Sequence, residues 1–176
     1  MSFLVLFGLA ILFSLFAFIR TRIKASRLSR LSWDDLLAKV EPVSIGGIST
    51  VALDYLQPSK GQLQISTSEL WAMIGRDEGV RRMYANAEIL IALAGYAQRW
   101  NPAESVIVME RMRRDGVTLR RATLRLSVGL IDNRGDVLGP FNVQEAASAY
   151  YLMRQRLLAL YETSHVGRHS RLMAAV

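Results

Sequence analysis

Hydrophobic and polar positions divide this chain into an apolar head and an amphipathic body. Phe3 to Ile19 holds no charge, and Gly8 and Ser14 are its only breaks in Phe, Leu, Val, Ile and Ala. As a helix these seventeen residues rise roughly 26 Å, just enough to cross a bilayer core. Apolar residues occupy every face, with no polar stripe to turn toward water. The pattern predicts a transmembrane anchor over 1–19. A cleaved signal peptide would need a basic stretch before the run and a small-residue cleavage site after it. Met1 and Ser2 carry no side-chain charge, and Ala17-Phe18-Ile19-Arg20 is a poor cleavage site.

Beyond the head, capping signals punctuate segments of helical period. Ser32 followed by Asp34 and Asp35 opens a helix that closes by Glu41-Pro42, because the residue before proline is pushed out of helical geometry. A weaker helix is expected over Ser44–Leu56, loosened by Gly46-Gly47, followed by a loop from Gln57 to Ile65. Ser66-Thr67-Ser68-Glu69 reads as a capping box for a short helix stopped by Gly75 in the left-handed region. Asp77 to Trp100 reads as a long helix whose centre, Glu88 to Tyr96, is apolar nearly all round. That stretch is too short to span a membrane, so it is expected to be a central core helix packing through small side chains.

Asn101-Pro102-Ala103-Glu104 combines a cap, a first-position proline and the closing acid of a capping box. The helix it starts can run to Leu130, with Met109, Met112, Leu119, Leu126 and Leu130 on a heptad-like seam. Ile131 to Phe141 reads as a loop closed by Gly139-Pro140. Asn142-Val143-Gln144-Glu145 then reads as the cap of a helix to Thr163. The tail over 164–176 is expected to fray or form one more short helix. No segment alternates with period two for the length of a strand. The expected architecture is all-α: a single-pass anchor over 1–19, a basic juxtamembrane segment over 20–31, and a cytoplasmic bundle of about five or six helices over 32–163.

Charge sharpens this picture. The net charge is +7, but Arg20, Arg22, Lys24, Arg27 and Arg30 form a collar directly after the apolar run. From Leu31 onward 17 basic residues face 15 acidic ones, leaving the body at about +2. A hydrophobic span followed by basic residues predicts an N-terminus outside and a body in the cytoplasm, with the collar against anionic lipid. The excess charge therefore needs no nucleic acid. A second basic set, Arg113, Arg114, Arg120, Arg121 and Arg125, lies opposite the Met112, Leu119 and Leu126 seam. Without interleaved aromatics, and diluted by Glu110 and Asp115, it reads as a solvated face or a docking surface for an acidic partner or lipid headgroups.

The candidate chemistry is thin. The chain has no cysteine, which excludes disulfides, thiolate metal sites and a thiol nucleophile. His165 and His169 are four apart, but Val166-Gly167-Arg168 lies between them and no third ligand is placed. Asp34-Asp35 and Asp77-Glu78 suit helix first turns, and Asp132 with Asp136 lacks the spacing of a calcium loop. Glu88, an acid inside the most apolar helix, is expected to pair with an arginine or a tyrosine. No catalytic, cofactor or metal site is predicted. The leading expectation is a non-catalytic membrane subunit, scaffold or assembly factor with a protein partner or a second copy. The alternatives are a sensing module holding an apolar ligand among Trp71, Tyr84, Tyr96 and Tyr150, and an enzyme built around Glu88.

Overall fold

The computed structural model describes residues 7, 8, 15, 16, 19, 23, 26–57, 66–131, 135–164 and 166–176. Most of the expected anchor lies outside these, as do Arg20, Arg22, Lys24, the stretch 58–65, Asp132 and His165. Among the described residues no helix is long and apolar enough to cross a membrane. The body is an all-α bundle, with no strand among the described residues.

Its helices are α1 (Trp33–Leu37), α2 (Ile45–Leu56), α3 (Thr67–Met73), α4 (Arg76–Tyr96), α5 (Pro102–Ile131), α6 (Gly135–Ser164) and α7 (Val166–Ala175). The Ser32 hydroxyl accepts from the Asp35 N–H while the Asp35 carboxylate accepts from the Ser32 N–H, a reciprocal capping box. Ser66 and Glu69 repeat it at α3. Two expected ends move. α1 stops at Leu37, short of Glu41-Pro42, and α4 ends at Tyr96 with a tighter 3₁₀ turn over Ala97–Arg99.

The reversal between α3 and α4 is built on backbone. Gly75 has φ +88°, and Arg76 follows at φ +56°. A Cβ on Gly79 would lie 1.8 Å from the Ile74 carbonyl oxygen, and one on Gly47 would lie 1.9 Å from that of Met73. Both glycines therefore let one backbone approach another.

The clearest correction concerns residues 131–142. No loop closes at Gly139-Pro140 and Asn142 caps nothing: α6 runs from Gly135 through Pro140, and Asn142 is buried inside it. Pro140 sits in the second turn, where its missing N–H forgoes one bond, to the carbonyl of Asp136. Packing holds the turn. Gly139 lies against Thr67, Phe141 meets Tyr55 edge-on at 5.8 Å, and Gln144 Nε2 donates to Asp54 at 3.3 Å.

α6 is the hub of the bundle, touching α2, α3, α4, α5 and α7. Val143, Ala146, Ala147, Tyr150, Met153, Leu157 and Tyr161 recur every three to four residues and are buried. Each fully buried large apolar side chain contributes about 1.5–3 kcal/mol. Met109, Met112, Leu119 and Leu126 of α5 are buried as well, so the heptad-like seam packs within the domain. The tail forms α7, which buries Leu172 and is tied back by Arg171 to Asp34 at 2.6 Å and by Arg154 Nε to the Val176 carbonyl at 2.9 Å.

Candidate functional site

The centre of α4 was expected to be a core helix packing through small side chains, and it is buried along one face and half-exposed along another. Val80, Met83, Ala87, Leu90, Leu93 and Ala94 enter the core, whereas Ile91, Ala92, Gly95 and Tyr96 remain half-exposed. Those residues form one wall of an open groove of about 1080 Å³. The facing wall is α5, through Met109, Arg113, Gly116, Val117 and Arg120. Ser26, Leu28, Ser29 and Leu31 close one side. The two helices meet closely because small residues line their contact. A Cβ on Gly95 would sit 3.2 Å from Met109 Sδ, and one on Gly116 would sit 3.7 Å from Ile91 Cδ1.

The groove is apolar on its floor and basic at its margins. Arg99, Arg113 and Arg120 line it, as does Glu88, the single acid of the described lining. Arg99 stacks on Tyr96 at 4.2 Å and donates to its hydroxyl at 3.1 Å. Arg113 lies 3.9 Å from Glu110 and stays largely exposed. Arg120 has no ion pair among the described residues. Arg27 and Arg30, both exposed, belong to the same stretch as Ser26, Leu28 and Ser29. One collar segment and one edge of the α5 arginine face thus border a common groove.

The predicted basic set is divided. Arg113 and Arg120 line the groove. Arg114, Arg121 and Arg125 are exposed outside its lining, with Arg114 3.4 Å from Glu110 and Arg125 3.2 Å from Glu145. These acids leave no uninterrupted basic stripe of the kind that tracks a nucleic-acid backbone. Deeper along α5, Asp115 pairs with Arg156 of α6. Burial, and then the nearby Arg111, hold the Arg156 guanidinium below its ordinary pKa.

Glu88 is half-buried in this groove's lining, which it shares with Tyr84, Tyr96 and the three arginines, and its Oε2 is shielded from solvent. The described lining offers one carboxylate and no histidine, so the paired acid and base of carboxylate catalysis are not assembled there. The four aromatics expected around an apolar ligand do not converge. Tyr84 and Tyr96 line the groove. Tyr150 is enclosed in the core beside Asn86, and Trp71 packs against the core away from the groove lining. Among the described residues no three His, Cys, Asp or Glu side chains could hold a metal ion.

A second cluster escaped sequence reasoning. Arg168 of α7 lies 5.5, 5.5 and 5.1 Å from the ring centres of Trp33, Tyr96 and Trp100. Tyr161 completes it, donating to the Leu93 carbonyl at 2.9 Å and accepting from Trp33 Nε1 at 3.1 Å. Burial pushes the Tyr161 hydroxyl up to about 12. Tyr96, Arg99 and Trp100 stand at helical spacing, the one local signal of this cluster; Trp33 and Arg168 come from opposite ends of the chain. No family model matches the chain, and no curated protein or solved structure is detectably similar to it.

Proposed function

We propose that this chain is a non-catalytic interaction protein, anchored by its N-terminal apolar run and holding its helical body at the cytoplasmic membrane face. The observation that carries this reading is the meeting of the segment at 26–31 with the Arg113–Arg120 edge of α5 at one groove. Only six residues lie between Ile19 and Ser26, seven steps along the chain. If extended they reach about 24 Å, and if helical about 10 Å, so the groove stays near the end of the apolar run. The basic collar then faces anionic lipid, where each cation adds about 1 kcal/mol. A body held there, with a groove of apolar floor and cationic margin, suits a subunit, scaffold or assembly factor.

The test is extraction of the full chain in a mild detergent, followed by size analysis and mass spectrometry of what travels with it. A stoichiometric membrane-protein partner supports the reading. A chain that runs alone, and that washes from membranes with alkaline carbonate, overturns it. A reporter fused after Val176 reads the topology independently.

The groove also favours a second reading, a sensing module that takes an apolar molecule. Its support is the half-exposed apolar face of α4.

A further inference from the structure

A helix that is apolar all round is expected to be enclosed. α4 leaves Ile91, Ala92, Gly95 and Tyr96 open to a groove whose opposite wall is Met109, Gly116 and Val117. This apolar surface has a ligand's dimensions. The volume of about 1080 Å³ lies just above the range, about 300–1,000 Å³, in which proteins hold small molecules. From Met109 to Arg120 the α5 wall rises roughly 17 Å. One leaflet's acyl chains fill about half of a ~30 Å hydrocarbon core, so the wall matches one chain laid along it.

Charge selects among apolar ligands. Arg113 and Arg120 are one heptad apart on the same edge of α5, and Arg99 stands at the α4 end. Against these three cations the described groove lining sets one acid, Glu88. A neutral hydrocarbon would bring no counter-charge to these arginines, and a cationic amphiphile would be repelled. An amphiphile with a phosphate fits both features, because guanidinium groups pair well with phosphate oxygens.

We propose that the α4–α5 groove binds one anionic phospholipid, an acyl chain lying along Ile91, Ala92, Gly95 and Val117 and its phosphate held between Arg113 and Arg120. The lipid comes from the bilayer that holds the N-terminal run, so the proposal rests on the anchored reading above.

The test is native mass spectrometry of the full chain in a mild non-ionic detergent, titrated with phosphatidylglycerol or phosphatidylcholine. The wild type retains one phosphatidylglycerol per chain in preference to phosphatidylcholine. Arg113→Gln with Arg120→Gln lowers phosphatidylglycerol retention by roughly tenfold or more, the loss expected for two cations at a lipid surface. Val117→Trp, a half-exposed position that fills the groove without entering the core, abolishes retention of both lipids. Arg114→Gln with Arg121→Gln leaves retention unchanged, and far-ultraviolet circular dichroism checks that every variant is folded. Equal retention by wild type and Val117→Trp overturns the site, as does an equal loss in the Arg114/Arg121 control. A co-purifying polypeptide released by Val117→Trp would also overturn the lipid occupant. Carbonate-resistant membrane pelleting reads the anchor separately. A chain that pellets but retains no lipid overturns the groove site alone. One that retains lipid in detergent but does not pellet supports the site and overturns the anchored reading.

Discussion

Asn86 is fully buried on α4 and ties together three parts of the chain. Its Oδ1 accepts from the Glu41 N–H at 2.8 Å, and its Nδ2 donates to the Glu41 carbonyl at 2.7 Å and to the Tyr150 hydroxyl at 3.2 Å. One side-chain amide thus satisfies both backbone groups of Glu41, in the connection between α1 and α2, and bonds to α6 through Tyr150. Asn86→Ala removes all three bonds. At about 1 kcal/mol net each, the expected loss is about 3 kcal/mol. For a chain of this size each kcal/mol lowers Tm by about 2–4 °C, so the drop should be about 6–12 °C. Tyr150→Phe removes one of the three and should cost about 1 kcal/mol. Thermal unfolding of the full chain in detergent, followed by far-ultraviolet circular dichroism, measures both. If Asn86→Ala falls no further than Tyr150→Phe, the Glu41 connection is not held by this amide and the reasoning fails.

Three more outcomes are expected. Gly79→Ala and Gly47→Ala should each destabilise by about 1–3 kcal/mol, because the new Cβ meets a backbone oxygen that cannot rotate away; Gly116→Ala, whose Cβ meets only ordinary contacts, should not, and urea unfolding ranks the three. Bonds from Arg81 and then Arg82 hold the Glu78 carboxyl down at about 2. Because the folded value is depressed, its stabilisation is complete above the ordinary carboxylate range and disappears as pH falls from about 4.5 toward 2. A carboxyl NMR titration should show that low midpoint, and a Glu78 midpoint at the ordinary value would contradict it. Arg168→Ala should loosen α7, since each cation–π contact at a partly exposed site is worth about 0.5–1 kcal/mol. Hydrogen exchange over 166–175 should quicken several-fold while α6 stays protected, and unchanged exchange would mean that Leu172 and Arg171 hold the tail unaided.

Helical class and most helix starts were legible because they are written in short-range chemistry. Ser32, Ser66 and Asn101 each act with an acid three residues away, and the α5 seam follows from a period that any straight helix imposes. The misreadings have one physical source: long-range packing overrides a local preference. Gly135, Gly139 and Pro140 favour a turn in isolation, yet packing of α6 against five other helices, with Val143, Ala146 and Tyr150 buried, carries it through them. The tail carries weak local signals, yet Leu172 and the Arg168 contacts fold it onto the body.

The candidate site divides along the same line. Sequence alone determined which residues are basic, which helix has a centre that is apolar nearly all round, and that the collar follows an apolar run. Each of these is a property of neighbours in the chain. Only the tertiary structure decided that α4 leaves Ile91, Ala92, Gly95 and Tyr96 half-exposed, that Arg113 and Arg120 part from Arg114, Arg121 and Arg125, and that residues 26–31 border the same groove. Those relations join positions up to about ninety residues apart. They arise from how helices of fixed shape share one core, which no local pattern encodes.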